Sequence, residues 1–360
     1  MNLPSAVSVS ITTVPTFSSS QTAENSVMHS SRVEAACFEE LGLKLGARII
    51  AADRPGFGWS SPHPSHTLLD HPRDLERLAE HLGLDEYGVL GISGGGPYAL
   101  ACAFSLPHEK LKCVSIVCGL GGRDIGMRGA GWPTLLGFTW RYRLVPTPTR
   151  WWFQRQLAAR LDLSDEKHLE LLQQDASSRS GSKATLSREV EKELEVMRDE
   201  HVLRLFLRTS RESFAHGCDP TVQDGRLIST DFGFQVEDIR SDLPVQLWYG
   251  KHDSSLPLNH GVQIAARLGG RAHLRVEDES HWSISNNRRE EYLEALLSSI
   301  QSQSRYAAPT QQNKPPAKTP YLPWVQPALT EALSSGLIFQ AGSPKEGCKA
   351  KWAGKGMLRH

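Results

Sequence analysis

The chain has 360 residues, of which 39% are hydrophobic, so it can form one large domain with an insertion or two domains. Its 40 basic residues balance its 40 acidic ones, and this neutrality argues against nucleic acid or an anionic membrane as a partner. No apolar run reaches the ~18 residues of a membrane span. Because the first residues resemble neither a signal peptide nor a transit peptide, we expect a cytoplasmic protein.

The six cysteines give no indication of a disulfide framework or a metal site. They form no C-x-x-C pair, and several lie in apolar runs such as KCVSIVCGL. Thiols in such runs are typical of buried, reduced cysteines in an intracellular protein. We therefore expect no metal and no organic cofactor.

Residues 31–120 alternate between helical periodicity and the short apolar runs that are typical of buried strands. This alternation predicts an α/β fold, with a mostly parallel sheet covered by helices on both faces. The predicted strands are ARIIAAD, YGVLGIS and LKCVSIVCGL. The first 30 residues are rich in Ser and Thr and are predicted to be a low-complexity segment.

Residues 121–235 break this alternation, because they carry helical patterns and few strand-like runs. They predict a helical cap inserted between two halves of one core, with DASSRSGSKATLS as an exposed loop and SREVEKELEVMRDEHVLRLFLR as one long helix. Strands and helices resume in residues 236–303, beginning with LPVQLWYG. The polar, proline-rich residues 304–360 predict a disordered tail.

The stretch GISGGGPYAL, which begins at Gly91, fits two motifs. As G-x-G-x-x-A it would cradle a dinucleotide, but that site needs an acidic residue about 20 positions on, and the next strand ends IVCGLGG without one. As G-x-S-x-G it presents Ser93 on a tight strand-to-helix turn, with Gly91 and Gly95 as small flanking residues. Pro97 is tolerated in the first helical turn. We favour the nucleophilic serine.

A nucleophilic serine needs a base and an acid that orients the base, and in this kind of fold they follow in the order Ser, Asp or Glu, His. Asp253 follows the strand LPVQLWYG, and His281 follows the strand AHLRVEDE. Both positions lie at carboxyl ends of strands, where ligand sites of open α/β sheets gather. Asp124, after the preceding strand, remains an alternative acid.

Together these motifs resemble the α/β-hydrolase superfamily with a helical cap, over residues 31–303. The segment DRPGFGWSSPHP is similar to that family's D-x-x-G-x-G-x-S loop. The resemblance implies a serine hydrolase that cleaves a small apolar ester, lactone or related acyl substrate through an acyl-enzyme. A serine at position 93 argues against epoxide hydrolases and haloalkane dehalogenases, which use an aspartate. We expect a small-molecule substrate and a monomer.

The N-terminal sequence predicts a departure from the family, without its usual first strands and with a shortened form of the His-Gly loop that supplies half of an oxyanion hole. His29 can replace the histidine, but Ser30 stands where the glycine would be, so Ser30 is a weak candidate donor beside Gly94. The alternation in VSVSITTV predicts a weak or edge strand at best. The alternative function is therefore a catalytically impaired protein, either a ligand-binding module or a truncated product.

The predicted cap is rich in aromatic residues, some of which we expect to line an apolar substrate pocket above the serine. The alternative is that they only pack the cap against the core. The candidates are Trp132, Trp140, Trp151, Trp152 and Phe153.

Overall fold

The computed structural model describes residues 7–14, 31–130, 142, 145–180 and 188–306. The strands in these residues are β1 Val7–Val14, β2 Ala47–Ala51, β3 Tyr87–Ser93, β4 Leu111–Val117, β5 Val245–Gly250 and β6 Ala272–Glu277. They form one six-stranded sheet in the order β2-β1-β3-β4-β5-β6, and every pairing is parallel. The predicted α/β fold is confirmed.

Strand β1 contradicts the prediction of an edge strand, because it lies between β2 and β3. Val9 pairs with Ile49 on one side and with Gly88 on the other. The alternating sequence was a poor guide because it reports only which side chains suit water. The backbone N–H and C=O groups of β2 and β3 need partners once they are buried, and β1 supplies them on both sides.

Helices cover both faces of the sheet. Successive strand residues point to opposite faces. Val89 therefore belongs to the apolar cluster under the helices Asp70–His81, Gly96–Ser105 and Asn259–Arg267, whereas Leu90 belongs to the cluster under Glu39–Leu45 and Arg289–Tyr306. The helices outside the stretch between β4 and β5 are α1 Glu39–Leu45, α2 Asp70–His81, α3 Gly96–Ser105, α9 Asn259–Arg267, α10 His281–Asn287 and α11 Arg289–Tyr306. A 3₁₀ helix, Arg32–Phe38, precedes α1.

Between β4 and β5 the described residues form helices. Two details differ from prediction. The long charged helix is interrupted, because the side chain of Asp199 accepts from the backbone N–H groups of His201 and Val202 and starts a new helix. The first part of the predicted exposed loop continues a helix to Ser180. The helices are α4 Pro146–Phe153, α5 Asp165–Ser180, α6 Arg188–Met197, α7 Glu200–Ser213 and α8 Asp219–Ile228.

Buried ion pairs join these helices to the core. Arg54, in the loop after β2, donates to Asp224 of α8 at 2.6 Å, and both side chains are 5% exposed. The hydroxyl of Tyr98 on α3 donates to the same carboxylate. Arg32 reaches Asp53 at 2.5 Å and Glu212 of α7 at 3.0 Å. The loop DRPGFGWSS therefore connects the core to the helices between β4 and β5.

The central position of β1 predicts the effect of a proline within it. Ser10→Pro removes one backbone N–H from the ladder and leaves a buried carbonyl unpaired, at a cost on the order of 1–3 kcal/mol. Ser10→Ala keeps the N–H and is the matched control. Thermal denaturation should show a clearly lower midpoint for the proline variant. Equal midpoints would contradict the central position of β1.

The Arg54–Asp224 pair predicts a second effect on stability. Asp224→Ala removes the carboxylate that faces the buried Arg54 guanidinium, and breaking such a pair costs about 3–5 kcal/mol. Urea denaturation measures the loss. Asp162→Ala, which removes the partner of Arg160 on the surface, is the control and should change stability little. A loss for Asp224→Ala no larger than the control would contradict the structural role of the pair.

Candidate active site

Ser93 ends β3 at a sharp turn into α3. Its φ of 59° lies in the left-handed region, which is unusual for a residue with a side chain. The turn is so tight that a Cβ on Gly91 would lie 2.6 Å from both the Cβ of Ala99 and the carbonyl oxygen of Gly95. The strained turn leaves the Ser93 hydroxyl at the carboxyl end of the sheet, and the side chain is nearly buried.

Asp253 lies in the loop after β5, and its carboxylate is held from two directions. The Oδ1 atom accepts from the backbone N–H groups of Ser255 at 2.9 Å and Leu256 at 2.7 Å. The Oδ2 atom lies 2.6 Å from Nδ1 of His281. The backbone of this loop thus holds the carboxylate in the orientation in which it contacts the imidazole of His281.

His281 is the first residue of α10, which follows β6. Ser280 caps this helix, and Ser280 and Ser283 exchange hydrogen bonds in a capping box. The Nε2 atom of His281 lies 2.9 Å from Oγ of Ser93. The three side chains that the sequence singled out therefore come together in one hydrogen-bonded row, although they follow three different strands.

The environment of His281 has two opposing effects on the pKa of its imidazole. Complete burial by itself lowers the pKa, because the imidazolium loses its hydration. The neighbouring Asp253 carboxylate and the Cys118 side chain together outweigh burial, and the pKa is raised well above the ordinary value of 6.5. Asp253 therefore stabilises the protonated imidazole of His281.

Asp124, the alternative acid, and His252, the histidine next to Asp253, both have other partners. Asp124 forms an ion pair with Arg267 of α9. His252 lies next to Asp253 in sequence, but its Nε2 atom contacts Asp278 at 2.8 Å. Asp253 is the carboxylate that contacts His281.

One of the two predicted oxyanion donors, Gly94, lies within the described residues. Gly94 follows Ser93 directly and is buried, whereas Ser30 lies outside the described residues. Val14, the last residue of β1, pairs with Ser93, so the chain leaves β1 beside the serine.

Three of the five aromatic residues predicted to line a substrate pocket lie within the described part of the chain. Trp132 and Trp140 lie outside the described residues. Trp151 is 55% exposed, and Phe153 is buried in the main apolar cluster with Trp152 packed against it. A cavity of about 600 Å³ lies between the loop after β4, α9 and the segment that returns to β5, and none of these three aromatics is among the described residues that line it.

Two neighbours of the site were not anticipated. Cys118 directly follows β4, is fully buried, and has its Sγ atom 4.0 Å from Nε2 of His281. Burial raises the pKa of its thiol. Glu279 is buried and accepts from Ser283 at 2.6 Å and from Lys192 of α6 at 3.2 Å. The one sequence signal that Cys118 lies near Ser93 is its position directly after β4, the strand next to β3.

The family described as alpha/beta hydrolase fold matches residues 29–287, and the chain belongs to this family. The match begins after β1, although β1 is part of the sheet. None of the helices in the part of the chain that the structure describes is long and apolar enough to cross a membrane.

Individual relatives match shorter parts of the chain. An uncharacterized hydrolase of Bacillus subtilis is 33% identical over 87 residues, which are 23% of this chain and 30% of the relative. A probable proline iminopeptidase of Leptolyngbya boryana is 32% identical over 113 residues, or 28% of this chain and 33% of the relative. The chain therefore matches about a third of the length of these curated relatives.

The fold extends over nearly the whole of solved structures. A bromoperoxidase from Bacillus anthracis has a TM-score of 0.52 and 16% identity, with 82% of this chain and 92% of that chain covered. At this identity the similarity concerns the fold.

The raised pKa of His281 predicts a pH dependence. Only the neutral imidazole accepts a proton from Ser93, so kcat/KM for an activated ester should rise with pH, with a midpoint above 6.5. Asp253→Asn keeps the burial but removes the charge, which lowers the pKa of His281 and moves the midpoint to lower pH.

In the same Asp253→Asn variant, kcat should fall by up to about 10⁴-fold if the carboxylate orients the imidazole as in other triads. Asp124→Asn is the matched control and should leave the midpoint in place. A midpoint that responds to Asp124→Asn and not to Asp253→Asn would contradict the role of Asp253 and would show that the orienting acid is Asp124, after β4.

Proposed function

We propose that this chain is a serine hydrolase that cleaves a small apolar ester, lactone or related acyl substrate through an acyl-enzyme. A hydrolase is the activity class that membership of the family supports. The single observation that carries the proposal is the buried row from Asp253 through His281 to Ser93, with contacts of 2.6 Å and 2.9 Å. Activation of a serine requires a base and an orienting acid in this arrangement.

The roles follow from the two nitrogens of His281. The Nδ1–H group donates to Asp253, so in the neutral ring Nε2 carries a lone pair that accepts the Ser93 proton. As the Ser93 oxygen attacks the acyl carbon, the proton moves to Nε2, and Asp253 stabilises the imidazolium that results. His281 then gives the proton to the leaving group, and a water repeats the sequence to release the acid.

The tetrahedral intermediate needs hydrogen-bond donors for its negative oxygen. The N–H group of Gly94 is our proposed first donor, because it follows the nucleophile at the start of the turn. The second donor would come from the chain around Ser30, and loss of one donor typically costs ~2.7–4 kcal/mol. A weakened oxyanion hole stays a prediction, but the central strand β1 removes the missing strand as an argument for low activity.

We propose that the helices between β4 and β5 act as a cap over the serine. Phe206 of α7 packs against Trp282, with ring centroids 5.3 Å apart, and Trp282 adjoins His281. Lys192 of α6 reaches Glu279, which lies just before α10. These contacts support a cap that touches the start of α10, where the proposed catalytic base lies.

Substrate choice is testable with a small panel of chromogenic compounds. p-Nitrophenyl esters of increasing acyl length report on the size of the acyl pocket. A prolyl p-nitroanilide belongs in the panel, because a relative is named a probable proline iminopeptidase. The ester proposal expects turnover of short or medium acyl chains and little cleavage of the anilide.

Replacement of the nucleophile gives the sharpest test of the reaction. Ser93→Ala should abolish labelling by a fluorophosphonate and lower kcat on the best ester by a factor on the order of 10⁴–10⁶. Ser115→Ala is the matched control, because Ser115 is a fully buried serine on the neighbouring strand β4.

The control should keep both labelling and activity. Ester hydrolysis that persists in purified Ser93→Ala protein would end the serine mechanism. A parent protein that folds cooperatively but takes up no fluorophosphonate would instead favour the non-catalytic, ligand-binding alternative.

A further inference from the structure

Cys118 extends the row of reactive groups by one atom that the proposed reaction does not use. Its Sγ atom lies 4.0 Å from Nε2 of His281 and 3.7 Å from the carbonyl oxygen of the same residue. The Oγ atom of Ser93 lies 2.9 Å from the same Nε2 atom of His281. Cys118 is 0%, His281 2% and Ser93 4% exposed. A thiol, an imidazole nitrogen and a hydroxyl therefore converge in a site shielded from water.

We propose that Cys118 and His281 form a binding site for a zinc-like divalent cation, with Ser93 or a water as a further ligand. Zinc prefers thiolate and imidazole ligands at about 2.3 Å and 2.0–2.1 Å. These lengths add to about 4.3–4.4 Å, which exceeds the 4.0 Å between Sγ and Nε2. An ion can therefore contact both atoms without pushing them apart.

Asp253 completes the site from behind rather than as a direct ligand. Its oxygens already accept from the N–H groups of Ser255 and Leu256 and from Nδ1 of His281. A carboxylate on the far nitrogen of a metal-binding histidine fixes the ring and strengthens the ligand. The ligand atoms of Cys118, Asp253 and His281 lie within 4.8 Å of one another.

Binding releases protons in exchange for the cation. The Cys118 thiol releases its proton to solvent and its sulfur bonds the metal. The Nε2 lone pair of neutral His281 bonds the metal directly, whereas a protonated His281 first releases its Nε2 proton to solvent. Soft ligands of this kind select zinc over magnesium and calcium, which prefer oxygen. Because Nε2 is then occupied, it can no longer accept the Ser93 proton, and the ion inhibits the enzyme. This consequence, unlike binding itself, rests on the proposed function.

Binding is tested without activity by cobalt, which replaces zinc and reports thiolate ligation through its sulfur-to-metal charge-transfer absorption. The Ser93→Ala protein should show this band when titrated with Co²⁺. Adding Cys118→Ala or His281→Ala should remove it. Adding Cys113→Ala is the control and should preserve it, since Cys113 is a buried thiol on β4, the strand that Cys118 follows. Adding Asp253→Asn should weaken binding by roughly 10–100-fold.

Inhibition is tested by zinc titration of the wild-type protein with a p-nitrophenyl ester, each variant being compared with its own untreated rate. Zinc should inhibit reversibly, with recovery in EDTA, and Cys118→Ala should raise the half-inhibitory concentration at least ~10-fold. A cobalt band that survives in both Cys118→Ala and His281→Ala, or no band in the Ser93→Ala parent, overturns the site. A band in a protein without esterase activity supports the site and refutes only the proposed function.

Discussion

A hydrogen bond of 2.6 Å joins Asp253 to His281, and both side chains are shielded from water. The two residues belong to loops that follow different strands, so the bond depends on both loops at once. Backbone N–H groups hold the carboxylate, and a capping box holds the first turn of α10, where His281 begins. The tautomer of His281, the raised pKa and the lone pair that faces Ser93 all depend on this contact.

The sheet provides the other half of the geometry. Ser93 sits in a left-handed conformation at the end of β3, and such strain persists only where the surroundings determine the backbone. Strand β3 is paired along both edges, with β1 and with β4. The central position of β1 therefore matters for the proposed reaction as well as for stability, because β1 holds one side of the strand that ends at Ser93.

Sequence reasoning worked where chemistry and chain order coincide. The serine turn, Asp253 and His281 were expected together because each follows a strand of a parallel sheet, and carboxyl ends of such strands meet at one edge. It failed for β1, because side-chain alternation reports exposure but says nothing about which backbone groups lack partners. Cys118 and His281 are 163 residues apart, so their contact had no local signal. Aromatic spacing likewise does not distinguish core packing from pocket lining.

A crystal structure of the protein after reaction with a fluorophosphonate would test the assignment of Ser93, His281 and Asp253. We expect a phosphorus atom bonded to Oγ of Ser93, with Nε2 of His281 within hydrogen-bond distance of the adduct and the N–H of Gly94 donating to a phosphoryl oxygen. An adduct on another residue would contradict the assignment of Ser93. So would an adduct on Ser93 that leaves His281 bound to a partner other than Asp253.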